Sequence, residues 1–173
     1  MRGRRIAFSL AFSLHVTFRK MNIENKIHTR NLVNAEANKL RALITDALAD
    51  SVGKKVIRFT PYKSWTTKIQ KTINEIVADS EANGFRVWFQ FSVNWVWLCI
   101  DKTYKTGEVS VDYVKQDIFL CNLNGDILVA DDRKTCDYRT DYTLAEYDSA
   151  QAEIKSLEER LSALKSQIRE LLV

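Results

Sequence analysis

The spacing of apolar positions along the chain changes several times, and each change predicts a different element. In residues 31–52, Val33, Ala37, Leu40, Ile44, Ala47 and Leu48 recur at three- and four-residue intervals. That period paints one stripe on a helix, and Gly53 is a natural stop. Residues 55–60 predict a short strand ahead of Pro61. A second helix is expected after Ser64, a good N-cap residue, with Trp65, Ile69, Ile73, Ile76 and Val77 on its apolar side and Gly84 at its end.

From Phe85 the period falls to two. Phe85, Val87, Phe89 and Phe91 alternate with Arg86, Trp88, Gln90 and Ser92, and Trp95 to Asp101 form a run with little polarity on either face. Val109, Val111 and Tyr113 then alternate with Glu108, Ser110 and Asp112. Lys105-Thr106-Gly107 suits a three-residue hairpin, and Asn124-Gly125 a type I′ turn pairing Ile118–Leu123 with Asp126–Asp131. Residues 85–131 therefore predict an antiparallel meander. Residues 131–143 are polar and read as a linker. The fold class is α+β: two helices packed on a four- to five-stranded antiparallel meander, then a long coiled-coil-like C-terminal helix. The corresponding division is a leader or extension over 1–20, a globular domain over 21–142 and the helix over 143–173.

The last segment has the most specific pattern. Thr143 with Glu146 forms a capping box. Tyr147, Ile154, Leu161 and Ile168 fall at heptad position a, and Ala150, Leu157, Leu164 and Leu171 at position d, without a break. Positions b, c and f, such as Lys155, Ser156, Glu159 and Ser162, offer no second apolar face. The competing reading lays this seam along the chain's own domain. In a parallel pair the flanking g and e positions would set Glu153 against Glu158 and Arg160 against Lys165, both like-charged. Staggered antiparallel registers allow Glu158 with Lys165, or Glu153 with Arg160. The expected partner is thus an antiparallel copy, giving a homo-oligomer, or a different helix.

Charge changes the picture less than the total suggests. The net charge is +4, but residues 1–20 hold Arg2, Arg4, Arg5, Arg19 and Lys20 and no acid, so residues 21–173 carry −1. An overall basic field that would favour nucleic acid disappears once those residues are set aside. The first twenty residues fit a secretory signal poorly. A presequence of mitochondrial type or an upstream extension before Met21 are the other readings. No apolar run reaches the length of a membrane span, so no membrane partner is expected.

Candidate chemistry is sparse. Cys99, Cys121 and Cys136 make an odd count without a CxxC pair, and no N-x-Ser/Thr sequon occurs. Both favour a reducing, cytoplasmic setting with buried thiols. His28 is the one histidine outside the first twenty residues, so a Cys–His nucleophile would have to use it. There is no GxSxG, HExxH or P-loop motif. Asp131, Asp132, Asp137 and Asp141 form an acidic cluster better explained as linker than as a cation site. Asp101, Lys102 and Glu108 lack the acid-x-Lys spacing of a metal-dependent nuclease. No enzyme activity, cofactor or metal is expected.

Two further surfaces are candidates. If the phenylalanines of the first strand face the helices, Arg86, Trp88 and Gln90 point away, joined by Trp95 or Trp97, as a protein-binding face. The alternative is nucleic-acid binding by the basic, acid-free stretch 54–71, through Lys54, Lys55, Arg58, Tyr62, Lys63, Lys68 and Lys71 with Phe59 and Trp65 among them. The function expected first is non-enzymatic: a protein that oligomerises or docks through its C-terminal helix. Small chains of this make-up are common among bacteriophage and mobile-element accessory factors, some of which inhibit or regulate host proteins.

Overall fold

The structure is a computed structural model, and it describes residues 3–47, 49, 67–91, 95–107, 109–122, 127–128 and 137–172. Side chains of residues 3–18, 67–70, 91, 95, 121, 122, 127 and 128 lie outside that description, as do residues 54–66 entirely. The predicted strand at 55–60, Trp65, Glu108, the Asn124-Gly125 turn, Asp131 and Asp132 therefore also lie outside it.

The architecture is mixed helix and antiparallel sheet. Helix α1 spans Gly3–Ala47 and α2 Thr67–Ala82; strand β1 spans Arg86–Phe91, β2 Trp95–Lys105, β3 Val111–Asn122 and β4 Ile127–Leu128; helix α3 spans Leu144–Leu171. The chain divides into two compact units, Met1–Asp141 and Tyr142–Val173.

In the first unit the strands follow the order β1-β2-β3-β4, all antiparallel. Three of them are full strands, and β4 contributes two residues, Ile127 and Leu128, paired with Asn122 and Cys121. Four to five full strands, as the alternation predicted, are not shown. The β2–β3 connection also differs from the expected three-residue hairpin. Strand β2 ends at Lys105 and β3 begins at Val111, and within that connection Thr106 N–H donates to the Ser110 carbonyl at 2.9 Å. Val109, assigned to a strand by alternation, is 93% exposed in this loop. The alternating pattern extended past the pairing because a solvated loop tolerates a lone valine.

Helix α1 packs on β2 and β3, and α2 on β1 and α1. Val33, Ala37, Leu40 and Ile44 of the predicted stripe are buried, whereas Ala47 at its end is exposed. They meet Ile73 and Val77 of α2 and Val96, Leu98, Ile100, Val114, Ile118 and Leu120 of the sheet in one core. Helix α1 begins far upstream of residue 31 and runs unbroken across Met21. The boundary drawn at residue 20 thus falls inside a helix. The apolar stripe marked the part of α1 that enters the core, while upstream of it Asn25 Nδ2 donates to the Lys105 carbonyl of β2 at 3.3 Å.

Gly84 ends α2 in a Schellman motif. Its φ is +76°, Gly84 N–H donates to the Glu81 carbonyl at 3.0 Å, and Phe85 N–H donates to the Ser80 carbonyl at 3.1 Å. The positive φ is why glycine suits this position. Lys102 Nζ donates to the Asn83 carbonyl at 2.8 Å, placing a cation at the negative end of the helix dipole. The same ammonium lies 4.3 Å from the centre of the Phe85 ring.

The end of the predicted linker is not free chain. Asn38 Nδ2 donates to the Tyr138 carbonyl at 2.9 Å, and Tyr138 N–H donates to Asn38 Oδ1 at 3.0 Å. Asn34 Nδ2 donates to the Arg139 carbonyl, Arg41 pairs with Asp137, and the Tyr138 hydroxyl reaches the Asp117 carbonyl. Gln116 Nε2 donates to Asn34 Oδ1 at 2.7 Å, tying the same corner to β3. Polar side chains on α1 thus hold Tyr138 and Arg139 by their backbone and Asp137 by its carboxylate, an arrangement that composition does not announce.

The second unit is described by itself. Helix α3 starts with the predicted capping box. Thr143 Oγ1 accepts from Glu146 N–H at 3.3 Å, and Thr143 N–H donates to Glu146 Oε2 at 3.0 Å. None of its residues is buried. It is a single helix here, and the coiled coil expected from its heptads is not shown.

Candidate interaction surfaces

The first surface is the apolar row of α3. Ile154, Leu157, Leu161, Leu164 and Ile168 are each between 48% and 56% exposed, and Leu171 is 85% exposed. Tyr147 is half-buried and Ala150 exposed. Heptad spacing sets these side chains on one side of the helix, while Lys155 and Glu159 pair at 4.0 Å on the other. These side chains form one uncovered strip, as opposed to scattered single residues.

The second surface is the sheet face opposite the helices. The register aligns Arg86, Asp101 and Lys115 in one row across β1, β2 and β3, and Trp88, Cys99 and Asp117 in the next. Gln90, Trp97 and Phe119 form a third, beside a bulge at Val96/Trp97. Phe85, Val87 and Phe89 pack against the core, which leaves Arg86, Trp88 and Gln90 on the far side. Trp88 is half-buried between two cations, with the Arg86 guanidinium carbon 4.9 Å and Lys115 Nζ 5.5 Å from its ring centre. Trp97 meets Phe119 edge to face at 4.9 Å. The Trp95 backbone pairs with Asn122.

Hydrogen bonds and ion pairs lace this face together. Arg86 Nε donates to both oxygens of the buried Asp101 carboxylate at 3.2 Å, and that contact raises the arginine's pKa. Gln90 Oε1 accepts from Lys115 at 3.0 Å and from the Cys99 thiol at 3.3 Å. Lys115 also pairs with Asp117 at 2.9 Å, which raises the lysine's pKa. Sequence reasoning missed Asp101, Lys115, Asp117 and Phe119 as members of this face. The signal was there in the alternation of β3, but choosing the face requires the β2–β3 register.

Among the described residues, the groups named for catalysis are not brought together. Cys99 is fully buried, and burial followed by the neighbouring Asp117 pushes its thiol up to about 12, away from the nucleophilic thiolate. His28 lies exposed on α1. Strand alternation sends Asp101 and Lys102 to opposite faces, Asp101 to Arg86 and Lys102 to the end of α2. Asp137 pairs with Arg41 and Asp141 with Arg139, and among the described residues no cluster of His, Cys, Asp or Glu suits a metal. Of the basic stretch, Lys54, Lys55, Arg58, Tyr62 and Lys63 lie outside the described residues. Lys68 is on α2, and Lys71, also on α2, sits 3.8 Å from Glu75. Among the described residues no helix is long and apolar enough to cross a membrane.

No family model, curated protein or solved structure matches this chain.

Proposed function

We propose that this chain is a non-enzymatic protein-interaction protein whose docking element is α3, which pairs with another helix in coiled-coil fashion. The observation that carries this reading is the row Ile154, Leu157, Leu161, Leu164 and Ile168, each about half exposed on a helix with no buried residue. In proteins most helical stability comes from packing of an apolar side, so a capped helix that leaves that side open is suited to being covered. The sheet face around Trp88 and Trp97 is the second protein contact in this reading, with aromatic rings and arginine of the kind that interface centres favour.

The test uses the full chain and a Leu161→Glu/Leu164→Glu variant. Neither residue is buried, so the fold of the first unit should keep its melting temperature. The reading predicts that the variant loses protein association measured by ultracentrifugation and by pull-down. Equal association of both proteins would contradict it. Nucleic-acid binding through 54–71 is the second reading. Under it, affinity for single-stranded RNA or DNA falls steeply with salt, whereas an apolar helix seam barely responds.

A further inference from the structure

The geometry points to a second copy of this chain as the occupant of the α3 row, running antiparallel in one register. That register sets Ile154 against Leu171 of the second copy, Leu157 against its Ile168, and Leu161 against its Leu164. The inference rests on α3 being the docking helix and names its partner.

Three observations lead to it. First, the exposed aliphatic row begins at Ile154 and ends at Leu171. In an antiparallel pair every a position faces a d position of the partner. With the two-fold axis between Ser162 and Ala163, the row covers itself end to end over about 27 Å of helix. Second, the nearest e positions across the seam are then Glu158 and Lys165 of the second copy, and by symmetry Lys165 and Glu158. The nearest charged g position, Arg160, meets the neutral Gln167. Both charge contacts are attractive and none of the nearest flanking contacts is like-charged.

Third, the alternatives lose on one count or the other. With the axis on Glu159, that same geometry brings Glu158 against Glu158 and Arg160 against Arg160, and sets the small Ala150 against Ile168. It would add Tyr147, but that side chain is already half-buried. With the axis between Lys155 and Ser156, Glu153 meets Arg160, but Ile168 and Leu171 are left uncovered. A parallel pair sets Glu153 against Glu158 and Arg160 against Lys165.

The experiment measures the dimer dissociation constant of the full chain by concentration-dependent sedimentation, for the wild type, Glu158→Lys, Lys165→Glu and the double variant. In the inferred register each single swap replaces two attractive contacts with two repulsive ones and weakens the dimer about tenfold, and the double swap restores it. Tightening by Glu158→Lys would show a parallel pair. No response to Glu158→Lys would show the Glu159-centred or the Lys155/Ser156-centred register. A monomer at every concentration would also overturn the inference. None of these three results contradicts docking through α3, which fails separately if Leu161→Glu/Leu164→Glu leaves association unchanged.

Discussion

Helices α1 and α3 carry the same message in sequence and opposite fates in structure. Each shows aliphatic residues at three- and four-residue intervals. In α1, Val33, Ala37, Leu40 and Ile44 are 0–1% exposed beneath the sheet and α2. In α3, Ile154, Leu157, Leu161, Leu164 and Ile168 remain about half exposed. Periodicity fixes which side of a helix is apolar; whether that side is covered depends on what else is near it. In the proposed reading, the uncovered stripe serves an encounter between molecules instead of a fold.

The contrast is most open to attack at matched positions. Leu40→Ala should cost the first unit about 2–5 kcal/mol in urea denaturation, because it leaves a cavity between α1 and the sheet. Leu161→Ala in α3 should change that same transition by no more than about 0.5 kcal/mol. Similar losses from both would erase the distinction. Next in size is Asn38→Ala, which removes two hydrogen bonds to the Tyr138 backbone and should cost about 1–3 kcal/mol.

Alkaline pH should act on the first unit. Burial holds the Cys99 thiol up near 12 against 9.0, and burial together with Asp112 holds Tyr104 up near 12 against 10.0. Both groups therefore keep their proton in the folded state at a pH where the unfolded chain loses it. Stability is unaffected below about pH 9 and falls as pH rises from there. The fall should amount to about 1 kcal/mol between pH 9 and 10 in the first unit and shrink in Cys99→Ala. An effect of similar size is expected at the start of α3. Thr143→Ala removes the capping box and should cost about 1 kcal/mol, read as lost helical ellipticity without a shift in the urea midpoint of the first unit.

What could be read without coordinates follows the same division. Local signals were legible: the buried stripe of α1, the end of α2 at Gly84, the alternation of β1 and the Thr143–Glu146 cap are each set by residues within a few positions of one another. What failed was set at a distance. The upstream length of α1 is not marked by any stripe, since polar residues and apolar ones both sit well in a helix. Residues 137–139 look like linker because their anchors, Asn34, Asn38 and Arg41, lie about a hundred positions away on α1. The far sheet face was half legible: alternation named Arg86, Trp88 and Gln90, but Lys115, Asp117 and the buried Asp101 join them only through strand register. The α3 row was legible in full as a pattern, and its exposure came only from the structure.

Hydrogen exchange along residues 154–171, followed as the concentration of the full chain is raised, tests the central claim most directly. If the row is covered by a second copy, protection of these amides grows with concentration while that of residues 33–44 stays constant. Exchange in 154–171 that is equally fast at every concentration would contradict pairing of α3 with a second copy.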